Sequence, residues 1–255
     1  QSLTRIIPVT PTVFLNSIKD IVDKGNHEYS QLWLSLHKKA FEFMHEFHAS
    51  EKFNEFSTVH TILSNLPMSC DIHLANSMVV RYASIIGLGH TYRQIETFCN
   101  RGTSGIDGCT STALGSALKA KKTTLLITGD MAFFYDRNAF WHSHIPENLR
   151  VIVLNNHGGG IFDLIEGPGN LPEKEKYFIT NQPLKAKNLA DEFGLKYYHC
   201  ASIGGLSKGL NKFWVQDGHP KILEIESSIE VNTEVFKRFK QQAKQLWNQP
   251  ILGKA

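Results

Sequence analysis

Short apolar runs alternate with amphipathic stretches from Asp71 to Glu226. The runs are Asp71–Ala75, Glu96–Cys99, Thr123–Thr128 (TTLLIT), Arg150–Leu154 (RVIVL), Lys196–His199 and Lys221–Glu226. Each has strand length, and the β-branched, nearly all-apolar ones suit burial on both faces. The intervening segments predict helices from Ser77, over Asp107–Ala120, after Gly129, and over Leu184–Phe193 and Ile203–Trp214. A last helix is expected over Asn232–Trp247. Strands alternating with helices predict an α/β fold: a doubly wound, mostly parallel six-stranded sheet with helices on both faces.

Upstream the pattern changes. Tyr29–Ser50 reads as an amphipathic helix with Leu32, Leu36, Phe43 and Phe47 on one face. A second helix, Glu55–Leu66, stops at Pro67. A boundary is expected near Glu51–Asn54, with residues 1–52 a short helical extension and residues 53–255 the main domain. Gln1–Lys24 holds short apolar runs but no complete βαβ unit, and the first residue is Gln. The chain is therefore expected to begin inside a larger protein.

Composition narrows the class. Of 255 residues 42% are apolar and 20% charged, enough for a core and too few charges for a disordered chain. Lys and Arg number 27 against 24 Asp and Glu, without a long basic run, so nucleic acid is not the expected partner. No apolar stretch is long enough to span a bilayer, and no signal-peptide pattern opens the chain. Cys70, Cys99, Cys109 and Cys200 form no CxxC pair and read as reduced packing residues of a cytoplasmic protein.

In a sheet of this kind ligands bind beyond the carboxyl ends of the strands. The residues there are Asn76-Ser77, Asn100-Arg101-Gly102, Gly129-Asp130 and Asn155-Asn156, all polar or glycine-containing. Asp130 and Asn156 each end a buried strand. A carboxylate, an amide oxygen and a backbone carbonyl from the Gly158-Gly159-Gly160 turn are hard donors that suit Mg²⁺ bound alongside phosphate oxygens. The glycines allow close backbone approach, and the N–H groups of the helix after Gly129 favour a phosphate. Taken singly, each pair is also an ordinary βα turn.

The stretch GDMAFFYDRNAFWHSHIPENLRVIVLNNHGG, from Gly129 to Gly159, resembles the thiamine diphosphate motif, in which GDG is followed at a distance by NN. Met131 departs from it, standing where most such enzymes have Gly. Further blocks narrow the resemblance: NSMVVRY (Asn76–Tyr82), NRGTSGIDGCTSTALG (Asn100–Gly115), GDMAFFYDRNAF (Gly129–Phe140), NNHGGGIFDLI (Asn155–Ile165) and LADEFGLKYY (Leu189–Tyr198). Together they resemble the MenD family, the 2-succinyl-5-enolpyruvyl-6-hydroxy-3-cyclohexene-1-carboxylate synthases of menaquinone biosynthesis. The match covers the C-terminal, pyrophosphate-binding domain, and residues 1–52 would be the tail of a middle domain and a linker helix.

The resemblance implies thiamine diphosphate and Mg²⁺, with Mn²⁺ as a substitute, held by Asp130, Asn156 and Gly158. Cofactor contacts would come from Asn76, Gly102, Ser104, Gly105, Ile106, Gly129, Asp130, Met131, Asn156, Gly158, Gly159, Gly160 and Ile161. Ile106 would wedge the cofactor into its bent form. The implied reaction decarboxylates 2-oxoglutarate and adds the succinyl-semialdehyde carbanion to isochorismate. Arg81 and Arg101 would bind the substrate carboxylates, since a guanidinium forks onto a carboxylate and stays charged. Ser77 would hydrogen-bond substrate or cofactor, and Phe162 and Ile165, in a helix after Asn156, would line the apolar side. The activating glutamate lies on a pyrimidine-binding domain of a second subunit, absent from residues 1–255. A homodimer or homotetramer is thus implied, and the chain alone is expected to be inert.

Other signals point elsewhere. His45-Glu46-Phe47-His48 lacks HExxH spacing and reads as a solvated helix face. His142 and His144 are expected on different faces of the helix after Asp130. His157 adjoins Asn156, with its side chain free to point at solvent. Gly204–Gly209 lacks P-loop order and reads as a turn, and Lys237, Arg238, Lys240 and Lys244 as a solvated face. Two alternatives stay open: another thiamine-dependent decarboxylase or carboligase, and a non-catalytic nucleotide-binding module. The latter is disfavoured by the lack of GxGxxG and P-loop motifs.

Overall fold

The computed structural model describes residues 4–21, 27–88 and 94–247. The chain divides into two compact units, Gln1–His45 and Glu46–Ala255. In the first, helix α1 (Pro11–Ile18) starts at the Thr10 cap, whose Oγ1 accepts from the Val13 N–H at 3.4 Å. Helix α2 (Glu28–Ser50) half-buries Leu32, Leu36 and Phe43 on the face expected from their spacing, while Trp33, Leu34 and Phe41 are exposed.

The second unit carries six strands: β1 (Ser69–Leu74), β2 (Gln94–Cys99), β3 (Thr123–Gly129), β4 (Leu149–Asn155), β5 (Lys196–Cys200) and β6 (Lys221–Glu226). They form one sheet in the order β2-β1-β3-β4-β6-β5, and every described pairing is parallel. The helices are α3 (Glu55–Ser64), α4 (Met78–Ile86), α5 (Cys109–Ala117), α6 (Asp130–Tyr135), α7 (Ala186–Phe193), α8 (Ile203–Phe213) and α9 (Ile229–Trp247). The strand order reverses between β1 and β3, because the chain leaves β1 toward one edge and returns to β3 on its other side. A crevice opens at such a switch point beyond the carboxyl ends of the strands.

Strand alternation explains the two-sided core. Leu149, Val151 and Val153 of β4 pack with Ala113, Leu114, Phe133, Phe140 and Leu189 in one cluster. The intervening Arg150, Ile152 and Leu154 are buried on the opposite face. An aromatic group, Phe47, Phe56, Tyr82, Phe236 and Phe239, joins α3, α4 and α9, with ring centroids 4.8–5.4 Å apart between Phe56 and its neighbours Tyr82, Phe236 and Phe239. Among the described residues no helix is long and apolar enough to cross a membrane. Among the described residues Cys70, Cys99, Cys109 and Cys200 form no disulfide, and three of them are buried.

Several expectations need correction. Gly204–Gly209 is not a turn but the first part of α8, capped by Ser202, whose Oγ accepts from the Gly205 N–H at 3.1 Å. A Cβ at Gly209 would stand 3.2 Å from Leu223 Cδ1, and one at Gly205 3.2 Å from Cys200 Cβ, so these glycines let the helix lie close on the sheet. His142 and His144 lie beyond α6 and a following 3-10 turn (Arg137–Phe140), outside any helix, and the His142 Nδ1 accepts from the His144 N–H at 3.1 Å. His48 is not solvated: it is buried, stacks on His60 with centroids 4.3 Å apart and shares a hydrogen bond with Ser57 Oγ. Arg238 is not simply solvated either, since it pairs with Glu51 and Glu234.

Arg150 is fully buried, and its guanidinium donates to the carbonyls of Glu147, Leu149, Phe213, Val215 and His219 at 2.8–3.2 Å, and to Gln216 Oε1. It closes the loop between α8 and β6 at the end of the sheet away from the strand-end loops. Replacing it leaves buried carbonyls without a donor. Arg150→Met is expected to lower stability by about 3–5 kcal/mol in urea unfolding. A loss below about 1 kcal/mol would contradict this role.

Candidate functional site

The loops after β1, β2, β3 and β4 carry the site. Four non-glycine residues have positive φ among the described residues: Ser77 (72°), Ser104 (61°), His157 (66°) and Thr180 (53°). Three follow β1, β2 and β4 directly, and the fourth lies in the segment that packs on the loop after β4. Backbone held in sparsely populated conformations persists only where its surroundings impose it, and such residues gather at functional sites. At Ser77 the strained turn is held by Arg81, whose Nη1 donates to the Ser77 carbonyl at 2.6 Å.

The first two loops are joined by Asn76, which is buried at the end of β1. Its Nδ2 donates to the carbonyls of Asn100 at 2.7 Å and Gly105 at 2.5 Å, and its Oδ1 accepts from Arg101 Nη1 at 3.0 Å. A side chain at Gly105 would collide with Asp107 Oδ1, 2.2 Å from an added Cβ. Ile106 packs with Ala75, Cys109 and Ala132, which ties the loop after β2 to α6. Gly102 and Gly129 face open space, and Ser104 is exposed. Among the described residues neither Arg81 nor Arg101 is paired with a carboxylate, and both are exposed.

The loops after β3 and β4 meet at Asp130. Its carboxylate is buried and accepts from Gln182 Nε2 at 2.7 Å, and the nearby backbone N–H groups of Met131 and Gly158 act to hold its pKa down. The Gly158 N–H donates to Asn156 Oδ1 at 3.2 Å and lies near enough to Asp130 to lower its pKa, so the carboxylate and the amide oxygen stand on either side of one group. Gln182 is turned by its own Oε1, which accepts from the Leu184 N–H at 2.5 Å, leaving its Nε2 to reach Asp130 and Asn155 Oδ1. The backbone joins the same segments: Gly159 N–H donates to the Ile179 carbonyl at 2.7 Å, and Gln182 N–H to that of His157 at 3.0 Å. An added Cβ would stand 2.9 Å from the Ile179 carbonyl oxygen at Gly158 and 2.8 Å from that of Phe178 at Gly159. Crowding within the chain itself thus requires these two glycines.

Sequence reasoning missed Gln182, Glu55 and Glu224. Glu55, at the start of α3, accepts from Asn156 Nδ2 at 2.7 Å. Glu224, in the middle of β6, accepts from Asn155 Nδ2 at 2.6 Å and from the Tyr197 hydroxyl at 2.5 Å. Neither glutamate lies in a motif beside the asparagines, so no spacing marks it. His157 is turned from solvent onto the Gln182 carbonyl and Glu226 Oε1, at 3.1 and 3.3 Å. Glu226 also pairs with His199 and Lys185, and these partners pull its carboxyl down to about 2. Phe162 sits in a 3-10 turn (Gly160–Asp163), not a longer helix, with its ring against Phe178 at 5.4 Å; Ile165 lies beyond the turn and is exposed. Ile161 is half-buried in that turn, and Met131 half-buried in α6.

The donor set fits a hard divalent cation beside a phosphate. Asp130 and Asn156 offer oxygens at one point, and the Gly158 carbonyl belongs to the same turn. Among the described residues no cluster of three His, Cys, Asp or Glu side chains could hold a metal. A site with one carboxylate and neutral oxygens matches a cation that takes its remaining ligands from a bound phosphate. Burial also leaves charge to be compensated: it pushes Asp130 up to about 6, and burial together with the Asp130 charge pushes Glu55 up to about 7.

These shifts set the pH dependence of the metal-free protein. A carboxyl raised in the folded state contributes stability that is complete below its unfolded value, about 4, and lost as pH rises through the folded value. For Asp130 the loss runs from about pH 4 to just beyond 6. Urea unfolding across pH 4–8 is expected to show this decline, and Asp130→Asn to reduce it, leaving the share carried by Glu55. Identical profiles for the two proteins would contradict the shift.

No family model matches the chain. Among curated proteins it is similar to the 2-succinyl-5-enolpyruvyl-6-hydroxy-3-cyclohexene-1-carboxylate synthase of Cytophaga hutchinsonii, 48% identical over 246 residues, which are 96% of this chain and 44% of that protein. The protein of the same name from Christiangramia forsetii is 38% identical over 196 residues, 76% of this chain and 33% of its own length. That from Flavobacterium psychrophilum is 36% identical over 238 residues, 93% of this chain and 42% of its own. The chain thus spans less than half the length of these relatives. Similarity over nearly the whole chain places it in a family: the chain belongs to the 2-succinyl-5-enolpyruvyl-6-hydroxy-3-cyclohexene-1-carboxylate synthases.

Proposed function

We propose that this chain is the pyrophosphate-binding part of a thiamine diphosphate- and Mg²⁺-dependent synthase of menaquinone biosynthesis. The substrates are 2-oxoglutarate and isochorismate. The observation that carries the reading is the meeting of Asp130 and Asn156 at the Gly158 N–H, beyond the carboxyl ends of β3 and β4. Asp130, Asn156 Oδ1 and the Gly158 carbonyl would hold the cation, with Mn²⁺ able to replace Mg²⁺.

Bound thiamine diphosphate supplies an electron sink for decarboxylation. The residues of this chain position and shield. The buried Asn76 fixes the loop that carries Gly102, Ser104 and Gly105, and Ile106 gives that loop a rigid apolar side chain seated on Ala75, Cys109 and Ala132. Arg81 and Arg101 present charge to acidic substrates, since neither is neutralised by a carboxylate among the described residues. Ser77 offers a hydroxyl at the strained turn between them, and Phe162 and Ile165 supply apolar surface. The glutamate that activates the cofactor would come from the pyrimidine-binding domain of a second subunit in a cytoplasmic dimer or tetramer. Residues 1–255 alone are therefore expected to bind and not to turn over.

Calorimetry tests the cofactor half. Thiamine diphosphate is expected to bind only with Mg²⁺ or Mn²⁺, and Asp130→Ala to weaken binding by roughly 100-fold or more. Metal-independent binding would contradict the site. Carbon dioxide release from 2-oxoglutarate, with and without isochorismate, tests the reaction. The chain alone is expected to give none, and the complete protein to consume both substrates in step. Release that ignores isochorismate would favour a plain decarboxylase. In the complete protein, Arg81→Ala and Arg101→Ala are expected to raise the KM of an acidic substrate by roughly 30-fold or more while leaving thiamine diphosphate affinity in place. An unchanged KM in both would remove the arginines from substrate binding.

A further inference from the structure

We propose that Glu55 is a positioning residue that sets which way the Asn156 amide faces. The inference rests on the reading above, in which Asn156 Oδ1 is a ligand of the cation. An asparagine amide has two ends of almost equal size and opposite character, one oxygen acceptor and one NH₂ donor. A half turn about the last side-chain bond would exchange them and aim NH₂ at the cation. Something must make the two orientations unequal.

Glu55 does so by chemistry. Glu55 Oε1 accepts from both Asn156 Nδ2 and Ser227 Oγ, and an oxygen engaged by two donors holds Asn156 through Nδ2 and not through Oδ1. The contact is 2.7 Å, and Asn156 Oδ1 is left on the other side, 3.2 Å from the Gly158 N–H. Glu55 cannot drift. It is buried in the first turn of α3, where Asn54 caps the helix by accepting from the Ser57 N–H at 2.9 Å. Its backbone N–H donates to Asn232 Oδ1 at 2.9 Å, and its Oε1 also accepts from Ser227 Oγ at 3.2 Å. Asn232 Nδ2 in turn donates to Ser227 Oγ at 3.1 Å. Three separate parts of the chain, the start of α3, the end of β6 and the first turn of α9, thus fix one carboxylate against one amide.

The neighbouring asparagine obeys the same logic. Asn155 gives its Nδ2 to the buried Glu224, and its Oδ1 is left to accept from Gln182 Nε2 and the His157 N–H. Two consecutive amides are therefore oriented by two buried glutamates on different elements. Both amide oxygens turn to the Asp130 side, Asn155 by way of Gln182 Nε2 and Asn156 by way of the Gly158 N–H; with Asn156 as the ligand in the reading above, Glu55 is the glutamate that bears on the cation.

The test uses the complete protein and Mn²⁺, titrated by electron paramagnetic resonance with saturating thiamine diphosphate. Glu55→Ala removes the acceptor and is expected to weaken Mn²⁺ binding by about 10–100-fold, the usual effect of losing an outer partner of a metal ligand. Glu55→Gln keeps an acceptor oxygen and is expected to stay within about threefold of the parent. Unchanged affinity in Glu55→Ala, or equal losses in both variants, would overturn the proposal. If Glu55→Ala does not fold, Asn156→Asp serves instead, because it sets an acceptor against the Glu55 acceptor. It is expected to lose Mn²⁺ binding, and adding Glu55→Gln, which brings a donor, to restore at least about tenfold. No recovery would overturn the proposal. A parent protein that binds no Mn²⁺ would sink the cation site itself. In that case nitrogen-15 spectra of the metal-free protein still judge Glu55: the Asn156 NH₂ protons should exchange slowly in the parent and in Glu55→Gln, and fast exchange in both would overturn the proposal.

Discussion

A carboxylate withdrawn from water at the end of a central strand must be met by donors or by a cation, and Asp130 is that group. Its burial follows from its place between the apolar strand β3 and the short helix α6. Every feature around it answers its charge. Gln182 reaches it with an amide donor oriented by the Leu184 N–H, the nearby Met131 and Gly158 N–H groups lower its pKa, and the oxygen of Asn156 accepts from that same Gly158 N–H. Burial still leaves the carboxyl near 6, so donors alone do not fully offset the loss of water. A divalent cation and a phosphate would complete the balance.

Topology brings these groups together. The reversal of strand order between β1 and β3 opens the sheet where Asn76 and Asp130 emerge. Asn76 then ties the loop after β2 to that opening, and Ile106 seats the same loop on α6. The strained turns at Ser77, Ser104 and His157 lie on this rim; Arg81 holds the first, and Gln182 and Glu226 hold the last. The apolar strands beneath supply the rigidity that such turns need.

Much of this was legible in the sequence, for a physical reason. Strands buried on both faces produce short apolar runs that nothing else explains, so all six were found, along with the four loops at their ends. The residues of those loops are local in sequence, and Asp130, Asn156 and Asn76 could be picked out by position alone, with Gly105 added by the family resemblance. Groups that act through tertiary contact left no such mark. Glu55 lies 101 residues from its partner Asn156, and Glu224 lies 69 from Asn155. Gln182 sits in irregular chain between elements, where no periodicity points to it. The helix expected over Ile203–Trp214 is present; only the turn reading of its glycines fell, since a residue without a side chain here permits close contact between helix and sheet. His48 and Arg238 misled, since a polar residue on a helix reads as solvated until its buried partner is seen.

The central claim is that the loops after β3 and β4 form one cation site built on a single carboxylate and an oriented amide. The most direct measurement is an anomalous diffraction map of the protein crystallised with Mn²⁺ and thiamine diphosphate. The account predicts one strong peak between Asp130 and Asn156 Oδ1, with diphosphate oxygens completing its coordination and the Asn156 NH₂ still on Glu55. A peak at another place, or a metal at this place with Asn156 turned away from it, would contradict the account.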